Sequence, residues 1–286
     1  MSRLADMDWV RDHLYDPGVV IVDCRFVLGK PEAGREAYSL EHIPGAHYLD
    51  LEQDLSGTVK EKGGRHPLPD PAVLARKLES IGIDETVHVI TYDDQGGAMA
   101  ARAWWLLTWL GHPDVRVMNG TFRLWKEKGF PVTKEFPAAV PRRFIPRIQP
   151  QMLVDQSEVK EKLTSPETIL LDSREEKRYL GIEEPIDRVA GHIPGALHSF
   201  WQDVLDEEGK WKTSEELKAL FSHLDPDKEI IVYCGSGVTA TPNVLALKEA
   251  GFERVKLYAG SWSDWISDPA NPVARGREDK ESTSRG

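Results

Sequence analysis

The string His42-Ile43-Pro44-Gly45-Ala46 returns 150 residues later as His192-Ile193-Pro194-Gly195-Ala196, and its surroundings return with it. Before each copy stands an apolar run closed by an acid, Val19 to Asp23 and Ile169 to Asp172, with Arg25 and Arg174 two residues on. After each comes a second run, Val87 to Tyr92 and Glu229 to Tyr233, and then helical periodicity to Gly111-His112 or Gly251-Phe252. A third run follows, Val115 to Met118 and Val255 to Tyr258. Asn119-Gly120 or Ala259-Gly260 comes next, with Trp125 or Trp265 five residues beyond the glycine. By the tryptophans the offset has slipped to 140 residues, so a loop differs in length between copies. One such repeat in 286 residues predicts two homologous domains rather than a solenoid.

Short apolar runs alternating with helical segments predict an α/β fold in each copy: a mainly parallel sheet with helices on both faces. The expected division is a first domain over 1–138 and a Pro/Arg-rich linker over 139–151. A second domain over 152–275 and a polar tail over 276–286 complete it. Prolines at 137, 141, 146 and 150 stiffen the linker region, and Arg142, Arg143 and Arg147 read as a strap along the surface. A formal charge of −11 argues against nucleic acid or an anionic membrane as partner. No run approaches the ~18 apolar residues of a membrane span. Asp6, Asp8 and Asp12 suit neither a secretory signal nor a transit peptide, so a cytoplasmic location is expected. The two cysteines, Cys24 and Cys234, make no disulfide framework and no metal-ligand spacing.

Cys234 ends the run Ile230-Ile231-Val232-Tyr233 and heads the loop Gly235-Ser236-Gly237-Val238-Thr239. Val244, Leu245, Leu247 and Ala250 then recur at helical spacing until Gly251. The thiol therefore falls where a strand's carboxyl end meets a helix amino terminus, a place of converging N–H groups and positive potential that favours a thiolate. The plain alternative is a small core residue, since free cysteines are commonly buried. A cysteine phosphatase has the same strand–loop–helix logic but needs an arginine six or seven residues after the thiol, where this chain has Ala240 and Thr241.

Taken together, the tandem copies, the two His-Ile-Pro-Gly-Ala strings and the Cys234 to Thr239 loop resemble two-domain rhodanese sulfurtransferases over roughly residues 5 to 275. The resemblance implies a catalytically silent first domain, and Asp93 stands there in place of the thiol. It implies a Cys234 persulfide, ringed by N–H groups from Gly235, Ser236, Gly237, Val238 and Thr239, in a two-step exchange without cofactor or metal. The donor would be 3-mercaptopyruvate or thiosulfate, and the acceptor cyanide, a small thiol or a thioredoxin-like partner. A Cys-Gly-Ser-Gly loop is similar to the mercaptopyruvate branch, in which the serine, here Ser236, joins a histidine, here His66, and an acid, here Glu52. Arg178 and Arg188 fall at or near positions that hold the donor's anionic group. The same loop also suits a persulfide carrier that delivers sulfur without turning over small donors.

Overall fold

The computed structural model describes residues 2–277; the expected tail falls outside the described residues from position 278 onward. Its first half runs β1 (Leu4–Asp6), α1 (Met7–Asp12), β2 (Val19–Asp23), α2 (Ala33–Leu40), β3 (His47–Tyr48) and α3 (Pro71–Ser80). Then come β4 (His88–Tyr92), α4 (Ala98–Trp109), β5 (Val115–Asn119) and α5 (Phe122–Glu127). The second half repeats the order as β6 (Leu153–Val154), α6 (Gln156–Lys162), β7 (Thr168–Asp172), α7 (Glu176–Tyr179), β8 (Leu197–His198) and α8 (Ser214–Leu220). It closes with β9 (Glu229–Tyr233), α9 (Thr241–Glu249), β10 (Val255–Tyr258) and α10 (Ser261–Trp265).

Each half builds a five-stranded sheet, ordered β1-β5-β4-β2-β3 and β6-β10-β9-β7-β8, and every pairing is parallel. The registers agree as well: Asp23 lies against Tyr92 as Asp172 lies against Tyr233. Both acids close their strands in the same way. Arg25 grips Asp23 and the Glu41 carbonyl, and Arg174 grips Asp172 and the Gly191 carbonyl. Each arginine thus pins the end of a central strand to the turn that carries the repeated string. His42 and His192 meet backbone carbonyls of Tyr38 and Tyr179 at 2.7 Å, which gives these histidines a structural part in the turn.

The helices divide by pattern. Asp155 with Glu158, and Thr213 with Glu216, form capping boxes that start α6 and α8. By contrast, α4 and the first seven residues of α9 are buried on almost every side, as expected for helices without a solvent face. They pack on each other across the domain boundary. One apolar cluster consequently runs from Leu74, Trp105 and Leu106 in the first half to Val244, Leu245 and Leu247 in the second. Smaller clusters around Phe122 with Trp125, and Trp262 with Trp265, cover the outer face of each sheet. Between the halves, an extended segment keeps to the first domain through the bonds of Arg147 N–H to Leu110 O (2.7 Å) and Gln149 N–H to Trp109 O (2.8 Å). No helix among the described residues is long and apolar enough to cross a membrane.

Candidate active site

The Tyr233 carbonyl accepts the Ser173 N–H at 2.8 Å, and Cys234 is the next residue, just past the end of β9. Its outer side is clamped by α10. The Trp262 N–H reaches the Cys234 carbonyl at 3.0 Å, and the Ser263 N–H reaches the Gly235 carbonyl at 2.9 Å. Ser261 takes the Cys234 N–H on its Oγ at 3.1 Å while donating to the Tyr258 carbonyl. To do so it adopts φ 55°, the left-handed region that a non-glycine residue occupies only under surrounding constraint.

Inside the loop, the Gly237 N–H points to Cys234 Sγ at 3.2 Å. Gly237 has φ +78°, and a Cβ there would sit 2.2 Å from the Ala259 carbonyl oxygen, so glycine alone fits. A Cβ on Gly235 would meet two guanidinium groups, Arg65 at 3.0 Å and Arg178 at 3.4 Å. These two arginines come from different domains, and Asp187 bridges them. Arg178 also forks onto Glu184 at 3.0 and 3.1 Å. Burial raises the Asp187 carboxyl above the usual range despite its two cations. Burial also acts to raise Glu184, but the bond from Arg178 and backbone N–H groups hold it low.

Loop and arginines open onto a cleft of about 330 Å³ between the domains. Ser236, Val238 and Thr239 form one side, His66 and Arg65 face them, and Met99, Ile186, Phe200 and Trp201 supply apolar walls. Ser236 Oγ lies 2.8 Å from His66 Nδ1. Burial pushes His66 down to about 4, and the neighbouring Arg102 and Arg65 charges push the same way, so the ring is neutral near pH 7. The cleft can therefore hold a small anion beside the loop that Cys234 heads, and move a proton through a hydroxyl and a neutral imidazole.

Two expectations need correction. Arg188 lies outside the cleft: its Nη2 donates to the Ile266 carbonyl at 2.6 Å in a separate surface hollow. Glu52 is exposed, and among the described hydrogen bonds none joins it to His66; its own N–H turns to Asp50. The sequence reading also left out Arg65 and Ser261. Arg65 directly precedes His66 in the Gly64-Arg65-His66 stretch, and that adjacency was the available signal. The place of Ser261 follows from a backbone conformation with no local signature.

The first domain shows what the same loop does without a thiol. Asp93 accepts four N–H groups, from Gln95 (2.9 Å), Gly97 (2.9 Å), Met99 (2.7 Å) and Ala100 (3.0 Å). Burial raises its carboxyl, and those four bonds work against the rise. Its own side chain fills the anion nest. Cys24, beside it in the core, is likewise pushed up by burial and by Asp23, Asp93 and Asp54, and stays an inert thiol.

Two fused copies of one parallel α/β domain, with a cysteine-headed loop in the second copy and Asp93 at the matching place in the first, define a class of tandem-domain transferases. The model of the rhodanese-like domain matches residues 6–128 and again 155–268, so the chain belongs to the rhodanese family. It is 47% identical over 281 residues to the "Probable 3-mercaptopyruvate sulfurtransferase" of Pseudomonas aeruginosa, spanning 96% of this chain and 99% of that protein. With the thiosulfate sulfurtransferase of Bos taurus it shares 34% over 282 residues, 95% of this chain and 93% of the other. Among solved structures, SseA from Escherichia coli, described as a 3-mercaptopyruvate sulfotransferase, superposes with a TM-score of 0.80 at 32% identity. That match covers 92% of this chain and 100% of the other.

Proposed function

We propose that this rhodanese-type sulfurtransferase takes sulfur from 3-mercaptopyruvate as a Cys234 persulfide and passes it to a thiophilic acceptor such as cyanide or a thiol. The observation that carries the donor assignment is the 2.8 Å contact between Ser236 and His66. In the first half-reaction the Cys234 thiolate attacks the donor's thiol sulfur. The S–S bond forms as the C–S bond breaks, and the electron pair leaves on the pyruvate enolate. That enolate needs a proton, and the donor's own thiol brings one. Ser236 and neutral His66 are placed to carry it to the departing carbon, leaving pyruvate and Cys-S-S⁻. Thiosulfate would leave as sulfite, with no proton to move, and would make no use of this pair.

Arg178 and Arg65 present guanidinium N–H groups to an anionic donor above Gly235. The Gly237 N–H faces the sulfur and supports its anionic forms. In the second half-reaction the acceptor attacks the outer sulfur, and the S–S bond electrons return to Cys234 as thiolate. The reading is tested by kcat/KM for transfer to cyanide with both donors side by side. A preference of ~10-fold or more for mercaptopyruvate is expected from one proton-transfer pair. A thiosulfate preference would remove Ser236 and His66 from the chemistry, and turnover of neither donor would make the chain a persulfide carrier.

A further inference from the structure

We infer that Arg102, a residue of the silent first domain, is the fixed cationic pole for the anionic sulfur of Cys234 and a positioning residue for the loop around it. The inference rests on the persulfide reading above and extends it to the helix α4. Arg102 is fully buried in α4, at 0% exposure. Its Nη1 donates to the Gly237 carbonyl at 3.0 Å, and its Nη2 to the carbonyls of Leu55 and His66, each at 3.2 Å. Its Nε is buried without a hydrogen-bond partner. One guanidinium thus holds the glycine whose N–H faces the sulfur and the histidine that meets Ser236.

The other charges around Cys234 are already matched. Arg178 is paired with Glu184 and Asp187, Arg65 with Asp187, and Arg174 with Asp172 and Glu184. His66 is neutral. Arg102 has only carbonyl dipoles, and no carboxylate among the described residues forms an ion pair with it. A buried cation in that position is under-compensated until an anion forms nearby. Burial accordingly pulls its own ionisation down to about 10, and a Cys234 anion is the charge that pulls it back. The thiolate and the persulfide are the anions that the reaction creates there.

Alkylation of Cys234 by iodoacetamide tests this without any sulfur donor, so it can fail or hold independently of the donor assignment. Rates are followed across pH 5–9, with the modified peptide identified by mass to separate Cys234 from Cys24. Arg102→Gln keeps hydrogen-bonding capacity and removes the charge, and should slow alkylation at neutral pH roughly tenfold. Arg102→Lys, which keeps the charge, should stay within about threefold of the unaltered chain. A profile unmoved by Arg102→Gln overturns the inference. A second measurement needs no substitution at Arg102 and decides the matter if Arg102→Gln does not fold. Converting Cys234 to its anionic persulfide should raise Tm, whereas capping it with a neutral S-methylthio group should lower it. Equal Tm for the two forms would also overturn the assignment.

Discussion

Ser236 Oγ and His66 Nδ1 lie 2.8 Å apart across the domain boundary, although 170 residues separate them in the chain. The second domain brings Cys234 and Ser236, and the first brings the histidine that meets this serine. His66→Ala should therefore lower kcat/KM for mercaptopyruvate by about 100-fold, the usual contribution of a positioned proton-transfer group. Transfer from thiosulfate should change less than threefold. Steady-state assays with both donors read the difference, and an equal loss for both would show that His66 only supports the loop.

Cys234→Ser should abolish transfer from every donor, a fall beyond about 1000-fold, because a hydroxyl cannot carry the persulfide. Mass spectrometry after incubation with donor should find +32 Da on the native chain and none on the variant. Residual turnover in the variant would place the chemistry elsewhere.

Acid should weaken this fold through His66. Its ionisation drops from 6.5 to about 4 on folding, chiefly through burial, so between those values the unfolded chain binds the extra proton. Stability from this group is complete above about pH 6.5 and is lost as the pH falls toward 4. The sum over that window is on the order of 3 kcal/mol. Urea titrations at pH 7 and pH 5 should show the decline, and His66→Gln should flatten it. The same low value predicts that no histidine limb near pH 6.5 arises from His66 in the kcat/KM profile for mercaptopyruvate.

Arg65→Met should raise KM for either anionic donor roughly tenfold while leaving kcat within threefold. The lost interaction is a charge-assisted one, in a side chain that is 34% exposed. Added salt should narrow the gap between variant and native chain, since screening removes from the native chain what the variant already lacks. A fall in kcat with unchanged KM would assign Arg65 to the bond-making step instead.

In the first domain, Asp93→Ala strips four N–H groups of their acceptor in a buried loop. The expected cost is about 3 kcal/mol of stability by urea unfolding. Transfer by the folded variant should keep its kcat/KM within threefold, because Asp93 serves its own loop. A large loss of activity at full stability would make that carboxylate part of the cleft's chemistry.

Much of this was legible in the chain before folding. The repeated string, the two acid–arginine pairs and the apolar runs set the sheet architecture because parallel strands buried on both faces leave continuous hydrophobic runs. Cys234 was legible because glycines after a buried run mark a loop, and loops at strand ends gather N–H groups. What escaped was what reaches across. Arg65 approaches Gly235 because the domains dock, and Arg188 turns to the Ile266 carbonyl within its own domain; no local periodicity records either. The resemblance placed the acid at Glu52, but its loop turns that side chain to solvent. Ser261 was hidden for another reason: positive φ at a serine is imposed by neighbours, not by its own preference.

The apolar cluster shared by α4 and α9 also bears on how such a chain can change. A duplicate that loses its nucleophile is ordinarily spare material, open to erosion or deletion. Here deletion would take away His66 and lay bare one flank of α9, whose first seven residues are all buried. Cutting the strap between the halves should accordingly leave the two pieces held together by that cluster, and only their separation in denaturant should yield insoluble fragments. The first half thus serves as scaffold and as one wall of the cleft.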